Sequence, residues 1–126
     1  MDPYGTDIWI EGANKNEPKF HESICVGDPK GAYKSYSFGL TSRWQVFIPW
    51  RKGQVYEDEE CGGKKKKILK TTPEEDKQAL GLLEQLVGQE WNYGLTYGNC
   101  RQFTRQMFDF FNEDMGFGKQ PGGAQK

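Results

Sequence analysis

Short runs of apolar and β-branched residues occur through the first half of the chain, and polar and turn residues separate these runs. Such runs, bounded by turn signals, are typical of β-strands. The predicted strands cover residues 7–11, 22–27, 33–40, 44–48 and 54–56. Between the second and the third, Asp28-Pro29-Lys30-Gly31 predicts a turn in which proline presets φ and glycine takes the left-handed conformation.

In the second half of the chain, apolar residues recur at helical spacing and predict two helices. Thr72-Pro73-Glu74-Glu75 has the sequence of a capping box with proline at the first helical position, and Gly88 is placed to close this helix. The apolar stripe of this helix is expected to contain Ala79, Leu82, Leu83, Leu86 and Val87.

The second helix is expected to begin at Cys100, with Asn99 as its cap and Gln102 reaching back to that cap, and to end at Gly116. Its buried stripe is expected to contain Phe103, Met107, Phe110 and Phe111. Cys100 lies on the same side of the helix, so its thiol is expected to face the sheet.

An acidic run and a basic run lie next to each other in residues 57–67, with Cys61-Gly62-Gly63 between them. Because runs of like charge seldom fold, the sequence predicts a solvated hairpin loop whose two arms attract each other. The alternative is a docking surface for a charged partner.

Composition narrows the class of protein. A chain of 126 residues predicts one domain with a single core. The net charge of -1 and the pI of about 5.9 argue against nucleic-acid binding, which normally needs a basic face. No stretch reaches the roughly 20 apolar residues that span a bilayer, and the polar N-terminus does not resemble a signal peptide. Three widely spaced cysteines without a Cys-x-x-Cys pair argue against a disulfide framework and a zinc site, so no metal or cofactor is expected.

Cys100 carries the strongest chemical signal among the cysteines. A thiol at a helix N-terminus lies at the positive end of the helix dipole, beside backbone N–H groups that have no helical partner. Such a position favours the thiolate and offers donors for an oxyanion, so Cys100 is the predicted nucleophile.

The alternative role for Cys100 is that of a buried core cysteine. Cys25 is predicted to be a small buried side chain, and Cys61, in a charged loop, lacks the fixed geometry that catalysis needs.

A nucleophilic thiol needs a base, and His21 is the single histidine of the chain. The alternative is an ordinary surface histidine at a strand edge. A third group, on the next strand, is expected to orient the imidazole. Ser35 and Ser37 share the face of His21 if the intervening loop has an odd number of residues, and Tyr36 does so if the number is even. Ser37 is preferred.

The oxyanion hole is expected to use the Cys100 backbone N–H and one neighbouring donor. The candidates for that donor are Asn99, Tyr93 and Tyr97. Asn99 is alternatively only the helix cap, and the two tyrosines are alternatively packing aromatics.

These residues together resemble the circularly permuted papain-like peptidases, and most closely the PPPDE group of deubiquitinase-like isopeptidases. The resemblance rests on His21 at the start of a strand, Tyr36-Ser37-Phe38-Gly39 in the next strand, and Asn99-Cys100 followed by Phe103 at a helix start. NlpC-type amidases and lecithin:retinol acyltransferase-like enzymes are also similar, but less closely. The resemblance implies an α+β, permuted papain-like fold in which an antiparallel sheet packs against the helix that carries the nucleophile. The orienting position departs from the pattern, since many permuted families have a second polar ring where this chain offers serine or tyrosine.

Asp2-Pro3-Tyr4-Gly5 resembles the Asp-Pro-x-Gly signature that ends the core of Rhs-repeat proteins, just before their C-terminal toxin. The segment from Gly27 to Gly39 is also similar to such C-terminal domains. The resemblance implies that residues 1–14 are a remnant of the core and a leader, 15–118 a cysteine hydrolase domain, and 119–126 a flexible tail. It also implies delivery by type VI secretion into a target bacterium and pairing with a cognate immunity protein.

The expected function is therefore an interbacterial cysteine protease toxin that acts on a cytoplasmic protein of the target cell. The likeness to the PPPDE group further implies cleavage after small residues such as a Gly-Gly pair. A peptidoglycan amidase is the rival enzyme, and the slightly acidic charge disfavours it because wall hydrolases often carry a basic surface. Acyl transfer and glutamine deamidation would use the same two residues, and a binding module that has lost the chemistry is the non-enzymatic alternative.

Overall fold

The computed structural model describes residues 7–12, 22–39, 52–58, 64–92 and 100–118 of the chain. The strands in these ranges are β1 (Asp7–Gly12), β2 (Glu22–Gly27), β3 (Tyr33–Gly39), β4 (Lys52–Asp58), β5 (Lys65–Lys70) and β6 (Glu90–Asn92). The helices are α1 (Pro73–Leu86) and α2 (Cys100–Asp109), and a π-helical turn, Phe110–Asp114, continues α2. All the strand pairs are antiparallel, in the order β5-β1-β2-β3-β4-β6. The predicted α+β class, with an antiparallel sheet packed against a helix, is confirmed.

Strand register places the main apolar core on the face of the sheet that packs against the helices. Ile24 of β2 lies opposite Ile10 of β1 and Tyr36 of β3, and all three side chains are fully buried. The helical side of the core consists of Ala79, Leu83, Phe103, Phe108, Phe111 and Phe117. The predicted strands at 7–11, 22–27, 33–40 and 54–56 are confirmed, and the one at 44–48 lies outside the described residues.

The opposite face of the central strands is buried as well. Trp9 of β1 lies opposite Cys25 of β2, and the two side chains are 1% and 0% exposed. The Trp9 indole and the Cys25 thiol both donate to Glu11 Oε1, at 2.9 and 3.6 Å. The prediction that Cys25 is a small buried side chain is confirmed.

The turn between β2 and β3 is confirmed, but its glycine conformation is different from the prediction. The Gly31 N–H donates to the carbonyl oxygen of Asp28 at 2.9 Å, which closes the turn. Gly31 does not have a positive φ; Gly27, at the end of β2, has a φ of 136°. A Cβ at residue 27 would lie 2.6 Å from the carbonyl oxygen of Ala32, so the close approach of the two strand ends requires glycine there.

Local sequence signals predict the ends of α1 correctly. The Thr72 hydroxyl accepts the Glu75 N–H and the Glu75 carboxylate accepts the Thr72 N–H, both at 3.1 Å, which confirms the capping box. The helix ends at Leu86, and Gly88 follows with a φ of 93°. Val87 is the exception in the predicted apolar stripe, since it follows the last turn and is 39% exposed.

The second helix begins at Cys100 and the helical run ends before Gly116, as predicted, and Gly116 has a φ of 70°. The expected burial of Phe110 is wrong, since 36% of this residue is exposed. A π-helical turn begins here and spaces successive residues more closely around the helix axis than an α-helix does. Phe111, whose ring lies 5.9 Å from that of Phe110, takes the buried position.

The two charged runs do not form a hairpin, so that prediction is wrong. The acidic run begins within β4 and the basic run forms β5, with β1, β2 and β3 lying between these two strands in the sheet. The lysine run folds as a strand because its side chains find partners on both faces of the sheet. The Lys65 ammonium lies 5.7 Å from the Trp9 ring centre, and the Lys67 ammonium lies 5.6 Å from that of Phe108.

Asp76, in the first turns of α1, is a buried carboxyl close to other acidic groups. It is 5% exposed; the Thr71 hydroxyl donates to its Oδ1, and no group in the described ranges hydrogen-bonds to its Oδ2. Burial raises the pKa of Asp76 to about 7, the charges of Asp7 and Glu75 act in the same direction, and the Thr71 hydrogen bond opposes them.

Protein stability is expected to fall with rising pH because of Asp76. The pKa of this carboxyl is about 7 in the folded state and 3.8 as its ordinary value, so the folded protein holds the proton more tightly and loses stability between about pH 4 and pH 7. Asp76→Asn removes the buried charge and is expected to raise the free energy of unfolding at about pH 8 by about 2–4 kcal/mol. Urea denaturation at about pH 5 and about pH 8 measures the change. Glu74→Gln, an exposed carboxyl of the same turn, is the control, and the prediction fails if Asp76→Asn keeps the pH dependence of the parent.

Candidate active site

Cys100 opens α2 and is held against the sheet. It is the first residue of the helix and is 4% exposed. Phe103, one turn later on the same side, packs its ring 6.2 Å from the ring of Phe38 in β3, centre to centre. The prediction that the thiol side of α2 faces the sheet is confirmed. Because the first N–H groups of a helix have no partner within it, the thiol lies beside backbone donors.

The first residue of β2 places a carboxylate under the same end of α2. Glu22 is fully buried, and its Oε1 accepts the Thr104 hydroxyl at 3.0 Å. Arg105 donates to both carboxylate oxygens, from Nη2 to Oε2 at 2.9 Å and from Nε to Oε1 at 3.3 Å. The Nε of Arg101, which directly follows Cys100, lies 3.6 Å from Oε2. The start of β2 is therefore tied to residues within the first two turns of the helix that begins with Cys100.

Lys66 of β5 reaches the same carboxylate from the other side of β1. Its ammonium lies 2.9 Å from Glu22 Oε2. Gly12 of β1 lies opposite Glu22 in the strand register, and a Cβ at residue 12 would be 2.9 Å from Lys66 Cε. The glycine thus leaves the space in which a side chain of β5 crosses β1 to meet β2.

The cations around Glu22 keep it ionised. Burial by itself would raise the pKa of this carboxyl, but hydrogen bonds from Arg105, Lys66 and Thr104 outweigh burial and lower the pKa below its ordinary value. The same hydrogen bond to Glu22 raises the pKa of Arg105. One carboxylate therefore neutralises only part of the charge on three cations, and the side chains of Arg101 and Arg105 remain about half exposed.

The loop between β2 and β3 settles which strand residues share a face. Residues 28–32 separate the paired residues Gly27 and Tyr33, so the loop has an odd number of residues. This is the register for which Ser35 and Ser37 were expected to share the histidine's face. The alternative with Tyr36 required an even loop and is therefore wrong.

Ser37 contacts the backbone of Glu22. It is fully buried, and its hydroxyl donates to the backbone oxygen of Glu22 at 2.7 Å. Its neighbours Tyr36 and Phe38 belong to the core on the helical face, so the Ser37 side chain lies on the opposite face of β3. Whether it orients the imidazole stays a prediction.

His21, Tyr93, Tyr97 and Asn99 lie outside the described part of the chain, as does Cys61. The predicted base and the three predicted oxyanion donors therefore stay predictions. What the structure does bring together is the cysteine helix and the residue that follows the histidine.

The residues around Glu22 were missed by the sequence reasoning. A glutamate at the first position of a strand is normally expected in solvent. The available signal was the spacing of Arg101, Thr104 and Arg105, which are i, i+3 and i+4 and share one side of the helix. Such a polar set beside an apolar stripe indicates a buried polar partner.

Within the described ranges, no three His, Cys, Asp or Glu side chains are grouped so that they could hold a metal ion. None of the helices in these ranges is long and apolar enough to cross a bilayer. The sequence matches no protein-family model, and no curated protein is significantly similar to it.

Removal of the Lys66 ammonium is expected to destabilise the protein more than removal of a neighbouring ammonium. Lys66→Met keeps an unbranched side chain across Gly12 but deletes one donor to the buried Glu22 carboxylate, while Arg105 still contacts it. The expected loss in the free energy of unfolding is therefore about 1–2 kcal/mol. Lys64→Met, at an exposed residue just before β5, is the matched control and is expected to stay within about 0.5 kcal/mol of the parent. Urea denaturation measures both, and equal losses would contradict the prediction.

Proposed function

We propose that this protein is a cysteine hydrolase in which Cys100 is the nucleophile and His21 is the general base. The observation that best supports the proposal is the link between the cysteine helix and the start of β2. Glu22, the residue that follows His21, accepts hydrogen bonds from Thr104 and Arg105 of α2. Consecutive Cα atoms are about 3.8 Å apart, so the base is proposed one residue from a contact of α2. Because successive side chains of a strand point to opposite faces, the proposal requires the chain to leave this alternation before Glu22, so that the imidazole meets the Cys100 thiol.

In the proposed mechanism, His21 takes the proton of the Cys100 thiol and the thiolate attacks the carbonyl carbon of the scissile amide. The oxyanion accepts hydrogen bonds from the backbone N–H at the start of α2 and from Asn99, Tyr93 or Tyr97. His21 then gives its proton to the leaving amine, and the acyl group remains on the sulfur as a thioester. Water, deprotonated by His21, attacks the thioester, releases the acid and restores the thiol.

Ser37 is the proposed orienting residue for the imidazole. Its hydroxyl donates to the backbone oxygen of Glu22, the residue next to His21. A hydroxyl oxygen that donates one hydrogen bond still has two lone pairs, so it is able to accept an imidazole N–H. Since the Ser37 side chain lies on the face of β3 opposite the helices, this role requires the ring to lie at the end of the sheet, between that face and Cys100.

We further propose that the fold is a permuted papain-like one. The order of the two groups along the chain, with the histidine before the cysteine, supports this assignment. The packing of a helix that begins with cysteine against adjacent antiparallel strands, β2 and β3, supports it as well.

The biological proposal is a protease toxin that its carrier delivers by type VI secretion and that a cognate immunity protein neutralises in the producing cell. Its support is the likeness of residues 2–5 to the end of an Rhs core. The proposed substrate is a cytoplasmic protein of the target bacterium, cut after small residues such as Gly-Gly.

Expression of the chain in the bacterial cytoplasm is expected to create new protein N-termini, because each cleavage releases one. Both Cys100→Ala and His21→Ala are expected to abolish these termini, and Cys61→Ala, a change at another thiol, is expected to retain them. Proteome-wide mapping of N-termini measures the effect and reads the residues before each cut. Cleavage only after bulky residues would overturn the proposed preference for small ones.

Other outcomes of this experiment separate the alternatives. Toxicity that depends on Cys100 without new N-termini would replace the protease with a deamidase or an acyltransferase. Toxicity only after export to the periplasm would favour the peptidoglycan amidase. Toxicity that persists in both Cys100→Ala and His21→Ala would contradict the hydrolase and favour a binding module.

A further inference from the structure

We infer that the outer edge of β5 is a docking surface for an extended acidic segment of a partner protein, which adds to the sheet as a further strand. Residues 64–69 form this surface, the lysine edge. The inference goes beyond the proposed function and does not depend on it, because neither Cys100 nor any other predicted catalytic residue belongs to the lysine edge.

The place of β5 in the sheet leaves one side of the strand open. Within the described ranges it is the last strand of the sheet and pairs with β1 alone. Residues 64–68 are exposed, and Leu69 is partly buried against the core. A strand in such a position presents a row of main-chain N–H and C=O groups along its outer side, with which another strand can pair.

The hydrogen bonds to β1 show which main-chain groups point outward. The Gly12 N–H donates to the Lys64 oxygen at 2.9 Å. The paired residues Glu11 and Lys65 lie next to this bond. In an antiparallel pair, such a bond flanks two residues whose own N–H and C=O groups point away from the partner strand. Lys65 therefore offers a docking segment one donor and one acceptor.

The lysine edge has a defined length, because the chain packs against the end of β5. A Cβ at residue 118 would lie 2.7 Å from Leu69 Cδ1 and 2.8 Å from the carbonyl oxygen of Lys70. The segment after the π-helical turn thus bounds the edge at Leu69. The remaining length, about six residues, is that of an ordinary strand.

The positive charge of the lysine edge exceeds what the described residues neutralise. Lys66 pairs with Glu22, but no carboxylate in the described ranges forms an ion pair with Lys64, Lys65 or Lys67. The ammonium groups of Lys65 and Lys67 lie over aromatic rings instead, at 5.7 and 5.6 Å from the ring centres. Such a contact holds a lysine in place without removing its charge, so the edge attracts carboxylates.

The lysines lie on both faces of the sheet, with an apolar side chain between them. Lys67 is opposite Ile10, which belongs to the core on the helical face, and therefore lies on that face. Ile68 is opposite Trp9 on the other face, where the Lys65 ammonium also lies, and 54% of Ile68 is exposed. A docked strand thus meets cations on both faces and an apolar contact near its centre.

This charge determines which strand can dock. Lysines on an edge strand normally keep other strands away. They oppose pairing with β5 of a second copy, because like charges would lie opposite each other. An acidic strand instead places its carboxylates beside the ammonium groups when the main chains pair, so the main chain supplies affinity and the lysines supply selectivity. A nucleic acid would match the charge, but its backbone has no N–H and C=O groups with which to extend a sheet.

The test measures the binding of labelled probes to the full chain by fluorescence anisotropy. The main probe is a peptide of about eight residues in which glutamate and valine alternate. A lysine–valine peptide of the same length reverses the charge. A glutamate–valine peptide methylated at every backbone nitrogen keeps the side chains but has no N–H donors. An oligothymidylate of about eight nucleotides represents a nucleic acid.

The unmodified glutamate–valine peptide is expected to bind about 10-fold more tightly than each of the other three probes. Equal binding of the lysine–valine peptide would contradict the role of the charge. Equal binding of the methylated peptide, or equal or tighter binding of the oligothymidylate, would show attraction between charges without strand pairing and would overturn the inference. These comparisons use the parent protein, so they do not depend on the folding of any variant.

Hydrogen exchange locates the bound peptide. With the glutamate–valine peptide in excess, the amides of residues 64–69 are expected to exchange more slowly, because outward N–H groups become hydrogen-bonded. Protection confined to another part of the chain would contradict docking at β5.

The double variant Lys65→Gln with Lys67→Gln is expected to bind the glutamate–valine peptide about 5-fold more weakly, since two exposed charges are lost. Lys30→Gln with Lys77→Gln removes the same charge at exposed residues outside β5 and is the matched control, expected to bind like the parent. Ile68→Glu, at an exposed residue, places a negative charge in the middle of the edge and is expected to weaken binding about 10-fold. The inference fails if the first double variant, or Ile68→Glu where that variant does not fold, binds as tightly as the control.

Discussion

One buried negative charge connects the sheet to the helix that carries the cysteine. Glu22 has no solvent exposure, and its charge is met by cations from two elements far apart in the chain, Lys66 of β5 and Arg105 of α2. An ion of this kind costs several kcal/mol to bury unless its partners are in place. The edge of the sheet and the start of the helix are therefore mutually dependent, and the carboxylate specifies which turn of α2 lies over β2.

Two kinds of contact position α2 on the sheet, apolar packing and polar hydrogen bonds. The apolar side chains, with Phe103 packed near Phe38, hold the helix onto the sheet through non-directional contacts. The polar set at Thr104 and Arg105 fixes the helix along the strand direction. Cys100 then stands at the first turn of the helix, whose backbone N–H groups have no partner within the helix itself.

Local signals in the sequence were sufficient to predict the elements, and long-range contacts were not. The Thr72 capping box and the start of α2 at Cys100 each depend on a few neighbouring residues, and both are confirmed. The prediction for the lysine run was wrong because its strand is stabilised by pairing with β1, which is distant in the sequence, whereas like charges alone predict a solvated loop. For the same reason, a candidate nucleophile could be proposed from its position at a helix start, whereas the partners of Glu22 could not be assigned before β2, β5 and α2 were brought together.

The pairing of β1 with β5 also determines when the contacts of Glu22 can form during folding. The hairpin of β2 and β3 closes a short loop, but β1 pairs with β5 across about half of the chain, as the partners Asp7 and Lys70 show. Closing a longer loop costs more entropy, so this pairing is expected late. Until then Lys66 cannot reach Glu22, and the cysteine helix lacks part of its anchor. The set of charges around Glu22 is thus completed late in folding, after the local hairpin of β2 and β3 has formed.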